Sequence, residues 1–231
     1  MTIRMNVQMR TDPREDEVSP LADPGRADVT IVDCGIGNIR SVQRMFEHVE
    51  GTAEIVSDPQ AIHDCRRLVL PGVGAFDAGM AALEDGGWID ALNHVALEQR
   101  KPVLGICLGM QLLCRQSEEG ERPGLGWVPA DVVKVDIGGN SKLKIPHMGW
   151  AVTRPAKPNP LIAAEGEQRF YYVHKYRAVC DRSGDVLATA VYGTEFVSAV
   201  HRDNIYGVQF HPEKSHRFGM ALLRRFLEVR C

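Results

Sequence analysis

Val103-Leu104-Gly105-Ile106-Cys107-Leu108-Gly109-Met110-Gln111-Leu112-Leu113-Cys114 decides how the rest of the chain is read. Pro102 to Ile106 is an apolar run of strand length, and Leu108 to Cys114 can continue it as a helix. Gly105 and Gly109 stand two residues either side of Cys107. Small residues at those places allow the tight strand-to-helix turn that lifts a nucleophile above a sheet. The first N–H groups of a helix have no intrahelical partner, so such a turn can lower a thiol pKa and hold an oxyanion. Taken alone, the pattern leaves Cys107 open between a nucleophile and a buried small hydrophobe. A base elsewhere in the chain has to decide.

Outward from this stretch toward the N-terminus, strand and helix patterns alternate. Asp28 to Val32 reads as a buried strand, followed by the glycine-rich turn Asp33 to Asn38 and a helical period through Ile39, Val42, Met45, Phe46 and Val49. The turn lacks GxGxxG and the P-loop lysine-serine pair, which argues against a nucleotide site. Thr52 to Ser57 and Arg67 to Leu70 are two more strands, the second running into Pro71-Gly72-Val73-Gly74. That ending can present free backbone N–H groups as half of an oxyanion hole, or serve only as a turn. Phe76 to Gly86 and Trp88 to Arg100 read as helices leading into the Cys107 strand. The alternation predicts an α/β sheet whose ligands sit at the carboxyl ends of the strands.

Beyond Ser117-Glu118-Glu119-Gly120 the character changes. Val128 to Ile137, Leu143 to Ile145, Trp150 to Thr153, Arg169 to Val173, Val186 to Tyr192 and Glu195 to Val200 are segments of strand composition separated by turns. They predict short antiparallel strands folded against the sheet. Asn204 to Phe210 is a further apolar strand, and Phe218 to Val229 a closing helix. The expected architecture is a single α/β domain over 28–231, with a mainly parallel central sheet flanked by helices and antiparallel strands added in its second half. Residues 1–27, polar and without periodicity, read as a disordered extension.

Bulk properties narrow the function. The formal charge is −3 and Lys and Arg form no block, so no nucleic-acid partner is expected. The six cysteines make no CxxC pair and no zinc-like spacing with histidine, so no metal is assigned. The first residues have acidic side chains and no apolar core, and no apolar run reaches bilayer length. A cytoplasmic protein with reduced thiols and no membrane partner is expected.

A thiol nucleophile needs an imidazole to take its proton, and the imidazole needs a carboxylate to orient it. His211 and Glu213 follow a buried strand, at the edge where Cys107 is expected, with Pro212 stiffening the link. Their shared strand parity predicts that both lean to one face. The other histidines are weaker candidates for the base. His147 and His174 stand in the aromatic-rich stretches IPHMGW and RFYYVHKY, where hydrogen-bonded core histidines are an equal alternative.

GICLGMQLL followed by HPEK, in the order Cys, His, Glu, resembles the class I glutamine amidotransferases. PGVGAFDAGM, PHMGW, YYVHKY and HPEKS are similar to the branch that forms the glutaminase subunit of imidazole glycerol phosphate synthases. The resemblance spans roughly 29–229. It implies hydrolysis of L-glutamine to glutamate and ammonia, with Cys107 as nucleophile, His211 as base and then acid, and Glu213 orienting it. By motif position, Leu108 and Gly72 or Val73 would hold the oxyanion, and Gln111 and Glu119 would grip the amino-acid end with the backbone around Lys175 and Tyr176. No cofactor is implied. The partner implied is a (β/α)₈-barrel cyclase, forming a heterodimer that receives the ammonia and makes imidazole glycerol phosphate and AICAR. Asn38, Trp150, Tyr171 and Lys214 match its interface positions.

Two residues depart from the family pattern. Cys34 stands where tyrosine is common, and Lys175 where serine or threonine is usual. Residues 115–120 and 211–220 also resemble a paralogous branch that feeds ammonia to amidotransferases of surface-polysaccharide sugars. A catalytically inactive scaffold and a cysteine peptidase are the remaining alternatives.

Overall fold

The computed structural model describes residues 26–139 and 142–230. The expected N-terminal extension lies outside them apart from its last two residues. The chain runs β1 (Val29–Val32), α1 (Ile39–His48), β2 (Ala53–Val56), β3 (Leu68–Gly72), α2 (Phe76–Asp85), α3 (Trp88–Asn93), β4 (Val103–Cys107) and α4 (Leu108–Leu112). It continues through β5 (Gln116–Ser117), β6 (Ala130–Lys134), β7 (His147–Pro155), β8 (Gln168–His174) and β9 (Tyr176–Cys180). Then come β10 (Val186–Tyr192), β11 (Thr194–Arg202), β12 (Ile205–Val208) and α5 (His216–Glu228).

The strands join in the order β2-β1-β3-β4-β12-β11-β10-β7-β8. The first five of these pair in parallel. β1, β3, β4 and β12 are buried along their whole length, as near-continuous apolar strands in a parallel sheet should be. Alternation divides their side chains between two cores. Ile31, Val69 and Leu104 pack with Val42 and Phe46 of α1 and Leu223 and Phe226 of α5. Leu68, Leu70 and Val103 pack on the other face with Met80, Leu83, Leu92 and Leu112 from α2, α3 and α4.

Three local expectations change. The antiparallel strands do not stack against the sheet but extend it, because β11 hydrogen-bonds to β12 from Ala199↔Val208 to Arg202↔Ile205. β6 and β9 branch from β11 through the Val197↔Ala178 bridge and carry β5. Leu143 to Ile145 is not a strand; it leads by turns to a cis Ile145–Pro146 bond and then β7. β3 also outlasts its expected end and includes Pro71 and Gly72. β1 pairs with it only at Leu68 and Val69, so Pro71 lies where that neighbour has already ended.

Candidate active site

The parallel strands β3, β4 and β12 are neighbours and end at one edge, with Gly72 opposite Cys107 and Val208 opposite Ile106. This register brings the Pro71–Gly74 turn, Cys107 and the residues after β12 together from three distant parts of the chain. Cys107 itself has φ +55° and ψ −108°, a conformation rare for a residue with a side chain. Strain of this kind costs about 1–3 kcal/mol and persists only where the surroundings over-determine it. Here two glycines do so. A Cβ on Gly109 would lie 1.8 Å from the Leu70 carbonyl oxygen, and one on Gly105 would lie 2.8 Å from the Gly109 oxygen. Helix α4 therefore starts hard against β3 and β4.

His211 Nδ1 donates to Glu213 Oε1 at 2.8 Å, with both side chains under 5% exposed. The two meet through a 3-10 turn at Pro212–Lys214, not through strand alternation as the sequence suggests. Backbone and hydroxyl contacts hold this turn. His211 N–H donates to Tyr171 O at 2.9 Å, Ser215 Oγ donates to His211 O at 2.6 Å, and Tyr171 N–H donates to Ser215 Oγ at 3.0 Å. Burial pushes the His211 pKa down, but hydrogen bonds and charge from Cys107 and Glu213 outweigh it and raise it to about 9. The imidazole thus joins Cys107 on one side and Glu213 on the other.

A cavity of about 450 Å³ opens on this edge. Cys107, Leu108, Val73, Gln111, Glu119, Lys175, Tyr176, His211 and Lys214 all line it. Gly72 is buried and is not part of its lining. Glu119 reads as a solvent-facing loop residue in the sequence, yet it is half-buried, and its Oε2 accepts the N–H of Phe76 at the start of α2 at 2.9 Å. Val73 N–H is occupied, donating to Ile36 O at 2.6 Å. Asn38, Trp150 and Tyr171 lie outside the cavity wall. Trp150 is 39% exposed and stacks on His216, while Met148 beside it is 61% exposed. Among the described residues no cluster of His, Cys, Asp or Glu could hold a metal ion.

One residue escapes a reading of the sequence, and two histidines left open by it are decided here. Gln209, fully buried, places Oε1 2.9 Å from Gln111 Nε2 and Nε2 3.8 Å from Cys107 Sγ. His174 Nδ1 donates to Tyr176 O at 2.8 Å, and His147 Nδ1 donates to His174 Nε2 at 3.0 Å. Burial lowers the pKa of His147 to about 4 and of His174 to about 3, so both stay neutral. The alternative of hydrogen-bonded core histidines is the one realised. The mixed polar and aromatic composition around them was the available signal.

The sequence profile described as glutamine amidotransferase class-I matches residues 30–229. Imidazole glycerol phosphate synthase subunit HisH 2 of Pseudomonas aeruginosa is 45% identical over 87% of this chain and 99% of its own length. Its namesake from Methanococcus maripaludis is 46% identical over 87% and 98%. Subunit HisH of Leptospira interrogans is 41% identical over 87% and 100%. Among solved structures, a glutamine amidotransferase superposes with TM-score 0.66 at 20% identity, covering 86% of this chain and 97% of that one. PurLQS from Thermotoga maritima gives 0.64 at 20% identity, covering 86% and 94%. At that identity the likeness establishes the fold.

Proposed function

Because this chain belongs to the class I glutamine amidotransferase family, and within it to the subunits of imidazole glycerol phosphate synthase, we propose that Cys107, His211 and Glu213 carry out its glutaminase reaction. The supporting observation is the line of contacts from Cys107 through His211 to Glu213, buried at the carboxyl ends of adjacent strands. His211, held by Glu213, takes the thiol proton of Cys107 as general base and leaves a thiolate. The thiolate adds to the side-chain amide carbon of L-glutamine. Leu108 N–H faces the developing oxyanion at the uncapped start of α4. A second donor, Val73 N–H, would join after leaving Ile36 O, which requires the Gly72–Val73 peptide to turn. Collapse of the adduct breaks the C–N bond while His211 gives its proton to the departing ammonia. Neutral His211 then takes a proton from water as water attacks the thioester, releasing glutamate and restoring the thiol.

Glu119 would pair with the α-ammonium of glutamine, and Gln111 with the backbone of Lys175 and Tyr176 would position its amino-acid end. As a synthase subunit the chain works with a partner subunit, which we assign as a (β/α)₈-barrel cyclase that takes up the ammonia. Asn38, Trp150, Tyr171 and Lys214 would meet it. The test is to purify the chain with its natural partner and supply glutamine with the phosphorylated aminoimidazole-carboxamide ribonucleotide. Imidazole glycerol phosphate is the expected product. A partner that instead aminates a nucleotide-linked or lipid-linked sugar acid would overturn the pathway while leaving the glutaminase chemistry intact.

A further inference from the structure

One carbonyl orients two of the polar side chains near the nucleophile, His174 and Gln111. Tyr176 O can only accept hydrogen bonds, and it takes them from His174 Nδ1 and from Gln111 Nε2 at 3.2 Å. The Gln111 amide is thereby fixed with its nitrogen inward, and its second N–H goes to Gln209 Oε1 at 2.9 Å. With that oxygen committed, Gln209 has to turn its own nitrogen toward Cys107 Sγ, 3.8 Å away. The residue is fully buried, with its backbone N–H donating to Ser198 O at 2.9 Å, so both ends of its amide face protein groups.

Sulfur feels opposing neighbours. The Val173 carbonyl, 3.8 Å away, accepts the thiol hydrogen and so favours the protonated form. A donor aimed at sulfur favours the anion, because hydrogen bonds to a charged acceptor are about twice as strong as neutral ones. We propose that Gln209 is a catalytic residue of this reaction: its Nε2–H holds the Cys107 thiolate directly, alongside His211. The proposal rests on Cys107 being the nucleophile. Gln111, besides facing glutamine, keeps the Gln209 amide the right way round.

The test is the pH dependence of iodoacetamide alkylation at Cys107 in the full-length protein, with the adduct mapped by mass spectrometry. His211 backed by Glu213, and the titratable or charged His174, Lys175, Lys214 and Glu119, face the same cavity as the sulfur. They are the same in the parent and in each variant. Gln209→Met, which removes the donor at similar volume, should move the midpoint of alkylation up by about one pH unit. The rate reached at high pH should stay within about twofold of the parent, because the thiolate itself remains accessible. A purely structural role would lower that plateau and leave the midpoint in place. Gln209→Asn keeps an amide but withdraws it by one methylene, and should shift the midpoint in the same direction by less. It serves if the Met variant does not fold. Unchanged midpoints in the folded variants would overturn the role of Gln209. Adducts on another cysteine in the parent protein would instead overturn Cys107 as nucleophile.

Discussion

His211 Nδ1 and Glu213 Oε1 lie 2.8 Å apart across one intervening proline, with 4% and 3% of their side chains exposed. The carboxylate therefore stabilises the imidazolium from beneath, away from solvent. The folded-state pKa of His211, about 9, is above its ordinary 6.5. Its contribution to stability is complete below about pH 6.5 and is lost as pH rises through 9. Glu213→Gln removes the charge and keeps the shape. The variant should lose the alkaline limb of kcat/KM at lower pH than the parent, by more than about one unit. Its denaturant midpoint should fall below the parent's at neutral pH and converge with it above pH 9.

Cys107 at φ +55° gives a second expectation. Cys107→Ala and Cys107→Gly should both abolish glutamine hydrolysis, yet they should differ in stability. Glycine adopts this conformation without a Cβ clash, so the Gly variant should be the more stable of the two by about 1 kcal/mol. Urea unfolding of the two inactive proteins measures the difference. Equal midpoints would argue against strain at the nucleophile.

Gly109→Ala probes the turn from the other side. A methyl group 1.8 Å from the Leu70 carbonyl oxygen meets backbone of a central strand, which cannot give way cheaply. The variant should be destabilised by about 3 kcal/mol or more, and any folded fraction should show slowed alkylation of Cys107.

Glutamine recognition separates side-chain from backbone contacts. Glu119→Gln should raise KM for glutamine by about 10- to 100-fold with a smaller change in kcat, since a buried-edge charge pair is lost. On the proposed contact through its backbone, Lys175→Ser should change KM by less than about threefold. Steady-state kinetics with the partner subunit present reads both.

The strand-to-helix turn at Cys107 and the pairing of His211 with Glu213 were legible in the sequence because each depends on a few neighbouring residues: GxCxG and HPE. The parallel half of the sheet was legible for the same reason, from apolar runs between turns. What escaped depends on contacts across long separations. Gln209 looks like one polar residue at the end of an apolar strand, and only its pairing with Gln111, 98 positions away, gives it an orientation. Glu119 is held by the backbone N–H of Phe76, 43 positions earlier. Tyr176–Cys180, too mixed in composition to read as a strand, is one because β6 pairs along all five of its residues. The antiparallel strands were recognised, but nothing local indicated that β11 would join the edge of β12.

The most direct measurement is to treat the complex with diazo-oxo-norleucine, a glutamine-like electrophile, and locate the covalent adduct by peptide mass mapping. The account predicts one adduct, on Cys107, formed in step with loss of glutaminase activity and slowed by added glutamine. It also predicts that Cys107→Ala, folded and still bound to its partner, takes up no reagent. Inactivation with the adduct on Cys34, Cys65, Cys114 or Cys180, or glutamine turnover by the Cys107→Ala complex, would contradict it.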